Sequence, residues 1–230
     1  MRAHWIRDLE ILDQYILREE DLHHLVNVVR IEKDEALLLL NGKGLMIETK
    51  VMTISKRELV LKRISHQLSE RTYAFDLALG MPKREALELC LKEATELGLR
   101  NIYLIKSDFS QMRFPENDRM EKILVSALEQ SNAPFLPQII CAEWNILPWG
   151  QYQRLLLLDS QTKKLTLKSS FKNQGEQLLI VGPEGGFSEA EKDYLHSLSN
   201  IEIVNLPTPI LRSPTAVATG IGILIESLLK

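Results

Sequence analysis

The chain has 230 residues, 45% hydrophobic and 26% charged, with a formal net charge of −3, so it suits one or two domains and excludes a mainly disordered chain. That charge does not announce nucleic acid, since a nucleic-acid protein of this balance must gather its basic residues on one face. No apolar run reaches a membrane span, and MRAHWIRDLEILDQ lacks the apolar centre of a signal peptide, which leads us to expect a cytoplasmic protein with no membrane partner.

In chain order, Leu22, Leu25, Val26 and Val29 repeat at helical spacing. Short strand-like runs follow from about 35 to 64, with Asn41-Gly42 as a hairpin signal and RELVLKRI as a further strand. These predict a small β-rich domain with one helix over residues 1 to about 70. After Thr72 strands and helices alternate. YAFDLALG reads as a strand, and residues 84–97 as a helix with Leu87, Leu91 and Ala94 on one face, closed by Gly98. NIYLIKS is the next strand, and a helix at 117–130 carries Met120, Ile123, Leu124, Ala127 and Leu128. Strands are predicted at 137–141, 154–159, 178–182 and 201–206, then a helix at 214–229 with Ser213 placed to cap it and Pro214 at its start. Such alternation implies a mostly parallel sheet with helices on both faces, and a ligand at the carboxyl ends of its strands. Cys90 and Cys141 fit neither a disulfide framework nor a zinc site and are expected as buried thiols. His23 and His24 are adjacent on a helix and do not share a face, so no metal site is expected.

LLIVGPEGGFSEAEKDYL, residues 178–195, runs from strand through a glycine turn into Ser188-x-x-Glu191, a capping box. Loops of this kind hold ligands on backbone amides. Glu184 in its middle argues against a triphosphate, and no phosphate-loop pattern is present. A nucleoside carrying a sulfonium suits it better. The bland alternative is that the glycines merely permit a tight turn. In LPTPILRSPTAVATG, residues 206–220, Arg212 precedes a helix whose dipole disfavours a cation there. An RNA phosphate, a reacting base or a carboxylate such as Glu184 are the candidates to hold it, against the alternative of an ordinary surface arginine.

HHLVNVVR at 23–30, ATELG at 94–98, EQS at 129–131, IVGPEGGFSEAE at 180–191 and ILRSPTA at 210–216 resemble, in order, the signatures of the RsmE family of ribosomal RNA methyltransferases in the SPOUT superfamily. The resemblance implies a PUA-like β-barrel domain over 1–70 and a SPOUT methyltransferase domain over 71–230, with a trefoil knot in its mostly parallel sheet. It implies S-adenosyl-L-methionine held bent by Leu158, Gly182, Pro183, Glu184, Gly185, Gly186, Leu206, Ile210, Leu211 and Ala216. The implied reaction methylates N3 of a uridine in 16S ribosomal RNA of the small subunit, without metal; N3 must lose its proton, with Arg212 as the candidate cation that favours the uridinate and Glu184 or an ordered water as the proton acceptor. It further implies RNA contacts by His23, Arg30, Glu129 and Gln130, and a homodimer. Departures accompany it: SDFS stands at 107–110 where the family has Ser-Glu-Arg-Ser, Asn132-Ala133 replaces Gly-Arg, Glu93 replaces Lys, and Pro214 replaces Glu. Missing arginines at Phe109 and Ala133 keep two alternatives open, a different RNA target or a binding protein without catalysis; Lys106, Arg113 and Arg84 are candidates to replace the lost cations.

Overall fold

A computed structural model describes residues 1–110, 114, 117–160, 162 and 175–228. It opens with β1 (Arg2–Trp5), β2 (Gln14–Leu17) and α1 (Glu19–His23), which continues as a π-helical turn over His24–Val28, then β3 (Ala36–Leu40), β4 (Leu45–Ile54) and β5 (Leu59–Leu68). There follow β6 (Phe75–Gly80), α2 (Arg84–Glu96), β7 (Asn101–Ile105), α3 (Asn117–Ser131), β8 (Gln138–Ala142) and 3-10 turns at Trp144–Ile146 and Trp149–Gln151. β9 (Arg154–Leu158), β10 (Gln177–Val181), α4 (Glu189–Ser197), β11 (Ile201–Val204) and α5 (Ser213–Ser227) complete the chain. Two compact units result, one of residues 1–71 with 125–136, the other of residues 72–124 with 137–230.

In the first unit five strands run in the order β1-β3-β4-β5-β2, with β1 parallel to β3 and the other pairs antiparallel. Alternate residues of β3 and β4 point inward, so Leu37, Leu39, Ile47 and Val51 meet Leu25 of the π turn in a fully buried core. The Asn41-Gly42 hairpin forms through a connection over 41–44, between the end of β3 and the start of β4. The Asn41 side chain accepts the amides of Lys43 (2.7 Å) and Leu45 (3.0 Å), which fixes that loop. β1 and β2 have no counterpart among the predicted elements; at four residues each they are too short to establish a period. Nor did periodicity announce that 125–136 groups with the first unit, where Leu128 and Ala133 bury against Ala3 and Leu40.

Glu129 has a structural task in this unit. Its Oε1 accepts the Trp5 amide at 2.8 Å and lies 3.2 Å from His4 Nδ1, while Asp21 takes the other ring nitrogen at 2.9 Å. Burial lowers the affinity of the His4 imidazole for a proton, but the two carboxylates outweigh it and hold its pKa above the ordinary 6.5. A raised folded value makes the protonated form stabilising, so the contribution is complete below about pH 6.5 and disappears as pH rises through the folded pKa. Urea unfolding is therefore expected to show the first unit losing stability across that rise, and His4→Leu to lose the pH dependence. Unchanged pH dependence in the variant would refute the assignment.

The second unit is a six-stranded sheet in the order β11-β9-β10-β6-β7-β8, every pair parallel. Leu178 and Ile180 of β10 face a cluster with Leu195 of α4, Trp149 and Phe187. Leu179, pointing the opposite way, meets α5 at Gly220. The sheet is thus covered on both faces, as the alternation of elements predicts. Cys90 is buried on α2 as expected, whereas Cys141 is exposed because β8 is the edge strand and its alternate residues lack a covering layer. At the amino ends of the strands, buried Asp76 accepts Arg100 through both carboxylate oxygens (3.0 and 2.7 Å), the Asn101 amide (2.9 Å) and the Tyr152 hydroxyl (2.7 Å). Desolvation and that acceptor push the Tyr152 phenol up, and Arg100, paired also with Glu176 at 2.6 Å, is held protonated. The pairing depresses Glu176 in turn.

Candidate active site

Because all six strands run the same way, every strand-to-helix loop leaves from one edge of the sheet. The loops after β9, β10 and β11 there enclose a cavity of about 370 Å³. Leu158, Gly182, Pro183, Glu184, Gly185, Gly186, Leu206, Ile210, Leu211, Arg212 and Ala216, all picked from the sequence, line it together. Asp159, Asn205, Thr208 and Lys192 also line it and were not picked. Asp159 and Asn205 carried a usable signal, since each is the first residue past its strand at the ligand-binding edge.

The glycine loop is shaped by two close fits. At Gly80, the end of β6, an added Cβ would lie 2.5 Å from Pro183 Cδ and 2.9 Å from its nitrogen, so only glycine lets the 182–183 backbone pass. Gly186 has φ +72°, the left-handed region, and its amide closes a turn on the Pro183 carbonyl at 2.9 Å. Expected close approach at Gly185 is instead to protein: a Cβ there would stand 3.0 Å from Phe109 Cβ. Glu184 lines the cavity but does not hold Arg212. Its carboxylate accepts the Lys83 amide (3.1 and 3.3 Å) at the amino end of α2, where the dipole favours an anion.

The capping box of α4 is present, with Ser188 as N-cap and Glu191 reaching back to the Ser188 amide at 2.8 Å. Buried Glu191 does more. Its other oxygen accepts the Asp108 amide and the Trp144 indole N–H, both at 2.9 Å, while Ser188 Oγ donates to Asp108 at 2.6 Å. One carboxylate therefore ties the loop after β7 and the turn after β8 to the glycine loop, a role that the capping pattern alone does not reveal.

Across the cavity the expected cap on α5 differs. Arg212 occupies the N-cap position without a side-chain cap, and Ser213, inside the helix, directs Oγ to the Gly182 carbonyl at 3.5 Å. Ser213 joins the two loops rather than capping. The Arg212 side chain is exposed and makes no hydrogen bond or ion pair with the described residues. Amides of Leu206 and Leu211 likewise have no hydrogen-bond partner among the described residues, and Ile210 is 84% exposed on the rim. Unpaired amides beside apolar Leu158 and Ala216 suit a ligand with a flat apolar body and polar edges. The volume is within the range of small-molecule sites, and the absence of a phosphate-loop lysine suits a ligand that is not a triphosphate.

Of the first-unit residues picked from the sequence, His23, Arg30 and Gln130 are exposed, and Glu129 is engaged as described. Arg30 adopts φ +57° where the π turn ends on an Ile31 amide to Leu25 carbonyl bond of 3.0 Å. Arg84 pairs with Glu88 at 3.5 Å, and Arg113 lies outside the described residues. No cluster of three metal-ligating side chains occurs among the described residues, and no helix there is long and apolar enough to cross a membrane.

A parallel α/β sheet with a glycine-walled cavity at its carboxyl edge defines a small-molecule or cofactor-binding enzyme fold. Residues 69–225 match the RNA methyltransferase domain family and residues 17–62 the RNA methyltransferase PUA domain. The chain belongs to this RNA methyltransferase family. Ribosomal RNA small subunit methyltransferase E of Rickettsia conorii is 29% identical over 212 residues, covering 89% of this chain and 86% of the relative. Its Bacillus subtilis namesake is 24% identical over 228 residues, covering 91% and 89%. Among solved structures, the Neisseria gonorrhoeae enzyme of that name, bound to S-adenosyl methionine, superposes with TM-score 0.84 at 21% identity over 98% of this chain and 97% of its own.

Proposed function

We propose that the chain transfers a methyl group from S-adenosyl-L-methionine to N3 of a uridine in 16S ribosomal RNA. The observation that carries this reading is the cavity itself: eleven positions chosen from motif resemblance converge on one site, in a chain of the RNA methyltransferase family. S-adenosylmethionine, held by Leu158, the 182–186 loop and the 206–211 loop, supplies an electrophilic methyl on a sulfonium. Unpaired amides at Leu206 and Leu211 would bind its polar edges. Uracil N3 gives its proton to water to become the nucleophile, and the exposed Arg212 guanidinium, which pairs with none of the described residues, stabilises the uridinate. No metal is needed, because positioning and charge stabilisation lower the barrier to an in-line displacement.

The same reading assigns residues 1–70 to RNA contact through His23, Arg30 and Gln130. Support comes from an exposed Arg30 guanidinium held in a left-handed backbone conformation that an arginine adopts only at a cost. It places the protein in the cytoplasm as a homodimer, with the slim α5 at the two-fold interface and a trefoil knot among the cavity loops. Calorimetry with S-adenosylmethionine and S-adenosylhomocysteine is the test. Micromolar binding by wild type, abolished by Gly80→Val, is expected, since a branched side chain there expels the Pro183 backbone. Wild-type protein that binds neither ligand would end the methyltransferase reading.

A further inference from the structure

We propose that the Phe109 ring is a stacking platform for a nucleobase of the RNA substrate, set on the outer wall of the cofactor cavity. The inference rests on the methyltransferase reading and extends it to a residue that reading does not use. A single exposed aromatic is ordinary on a protein surface. Phe109, 50% exposed, differs from that in three respects.

Its position is the first. The 107–110 loop leaves β7 at the same edge of the sheet as the glycine loop leaves β10, and Gly185, a wall of the cavity, packs directly against Phe109. A base on this ring would lie one backbone thickness from the cofactor space.

Rigidity is the second. The Ser107 amide donates to Ser110 Oγ and the Ser110 amide to the Ser107 carbonyl, each at 3.0 Å, closing a tight turn that carries Phe109. Asp108 is then fixed at both ends, its amide to Glu191 at 2.9 Å and its carboxylate to Ser188 at 2.6 Å. A loop that only connected β7 to α3 would need no such anchoring. A platform benefits from it, because a ring carried on a fixed backbone loses less freedom when a base settles on it.

Charge is the third. Lys106, next to this turn, is exposed and has no ion pair among the described residues, so its ammonium is available to a phosphate of the same nucleotide strand. An aromatic and a cation on one loop are what single-stranded RNA requires, and stacking accepts any base. Phenylalanine here also makes sense of the departure from arginine noted in the sequence, since a guanidinium plane and a phenyl ring both stack on bases.

The test uses the full chain and small ribosomal subunits from cells lacking this gene. Phe109→Leu keeps apolar bulk and removes the aromatic face; its KM for subunits is expected to rise about tenfold, with kcat and S-adenosylmethionine affinity unchanged. Phe109→Tyr and Phe109→Trp should restore KM, and the salt slope of binding should be the same in all four proteins, because no phosphate contact is lost. A Leu variant equal to wild type, aromatic variants no better than Leu, or a loss that follows cofactor affinity would each overturn the platform. A change in oligomeric state with RNA affinity intact would overturn it too, assigning the ring to a protein contact. If wild type is inactive on subunits, the methyltransferase reading falls. The platform is then judged by fluorescence anisotropy with a mixed-sequence single-stranded RNA: weaker binding by the Leu variant sustains it, and equal binding refutes it.

Discussion

Arg212→Ala is expected to lower methyl transfer by about 10²–10³-fold, the loss typical when one preorganised charge donor is removed from an active site. Cofactor affinity should barely change, because backbone and apolar side chains form most of the cavity wall. Stability should not fall. Arg212 is exposed, pairs with none of the described residues and stands at the amino end of α5, where the helix dipole repels it. Removing that repulsion is expected to raise stability by about 0.3–1 kcal/mol. A residue that costs stability and contacts no described side chain is one the fold does not need, so a strong activity loss with an equal or higher melting temperature identifies a group that acts on substrate. Arg212→Lys should recover part of the rate, as a point charge without the planar fork. An inactive variant that also unfolds earlier or fails to bind S-adenosylmethionine would instead make Arg212 structural.

The opposite signature is expected at Asp76. This carboxylate is completely buried and gathers Arg100, Asn101 and Tyr152 at the amino ends of β6 and β7, the end of the sheet remote from the cavity. Asp76→Ala leaves the Arg100 guanidinium beside Glu176 alone, the Tyr152 hydroxyl with only the Tyr103 hydroxyl at 3.3 Å, and the Asn101 amide without its acceptor. Breaking one partner of such a network costs about 3–5 kcal/mol, which in a unit of this size lowers the melting temperature by roughly 10 °C. Activity per folded molecule should survive at low temperature, since the strand ends that carry the loops are on the other side of the sheet. Chemical denaturation showing a loss under about 1 kcal/mol would mean that Arg100 finds a replacement and that the network is not the clamp its geometry suggests.

What was legible in the sequence follows from how much chain each feature occupies. The strands and helices after residue 72 are four to fifteen residues long and repeat their apolar positions, so 84–97, 117–130 and 154–159 emerge within a residue or two of α2, α3 and β9. The carboxyl-edge location of the site follows from parallel order alone, and its wall from the two motif loops. Features that depend on a partner distant in sequence were not legible. β1 exists because β3 offers it a parallel edge, and Ser213 turns from the helix cap because the Gly182 carbonyl is nearby. Glu184 is satisfied by an amide 101 residues away, and Glu191 joins loops from β7 and β8 that no local pattern links to α4. Cys141 failed for a related reason, because cysteine is usually buried and only the strand order reveals that β8 is an edge.

The most direct test of the central claim is mass spectrometry of small-subunit ribosomal RNA from a strain without this gene, beside strains carrying wild type or Arg212→Ala in its place. The account predicts that 3-methyluridine disappears in the deletion strain, returns with wild type and stays absent with Arg212→Ala. Persistence of 3-methyluridine in the deletion strain would contradict it, and a different methyl mark lost in its stead would assign the cavity to another RNA.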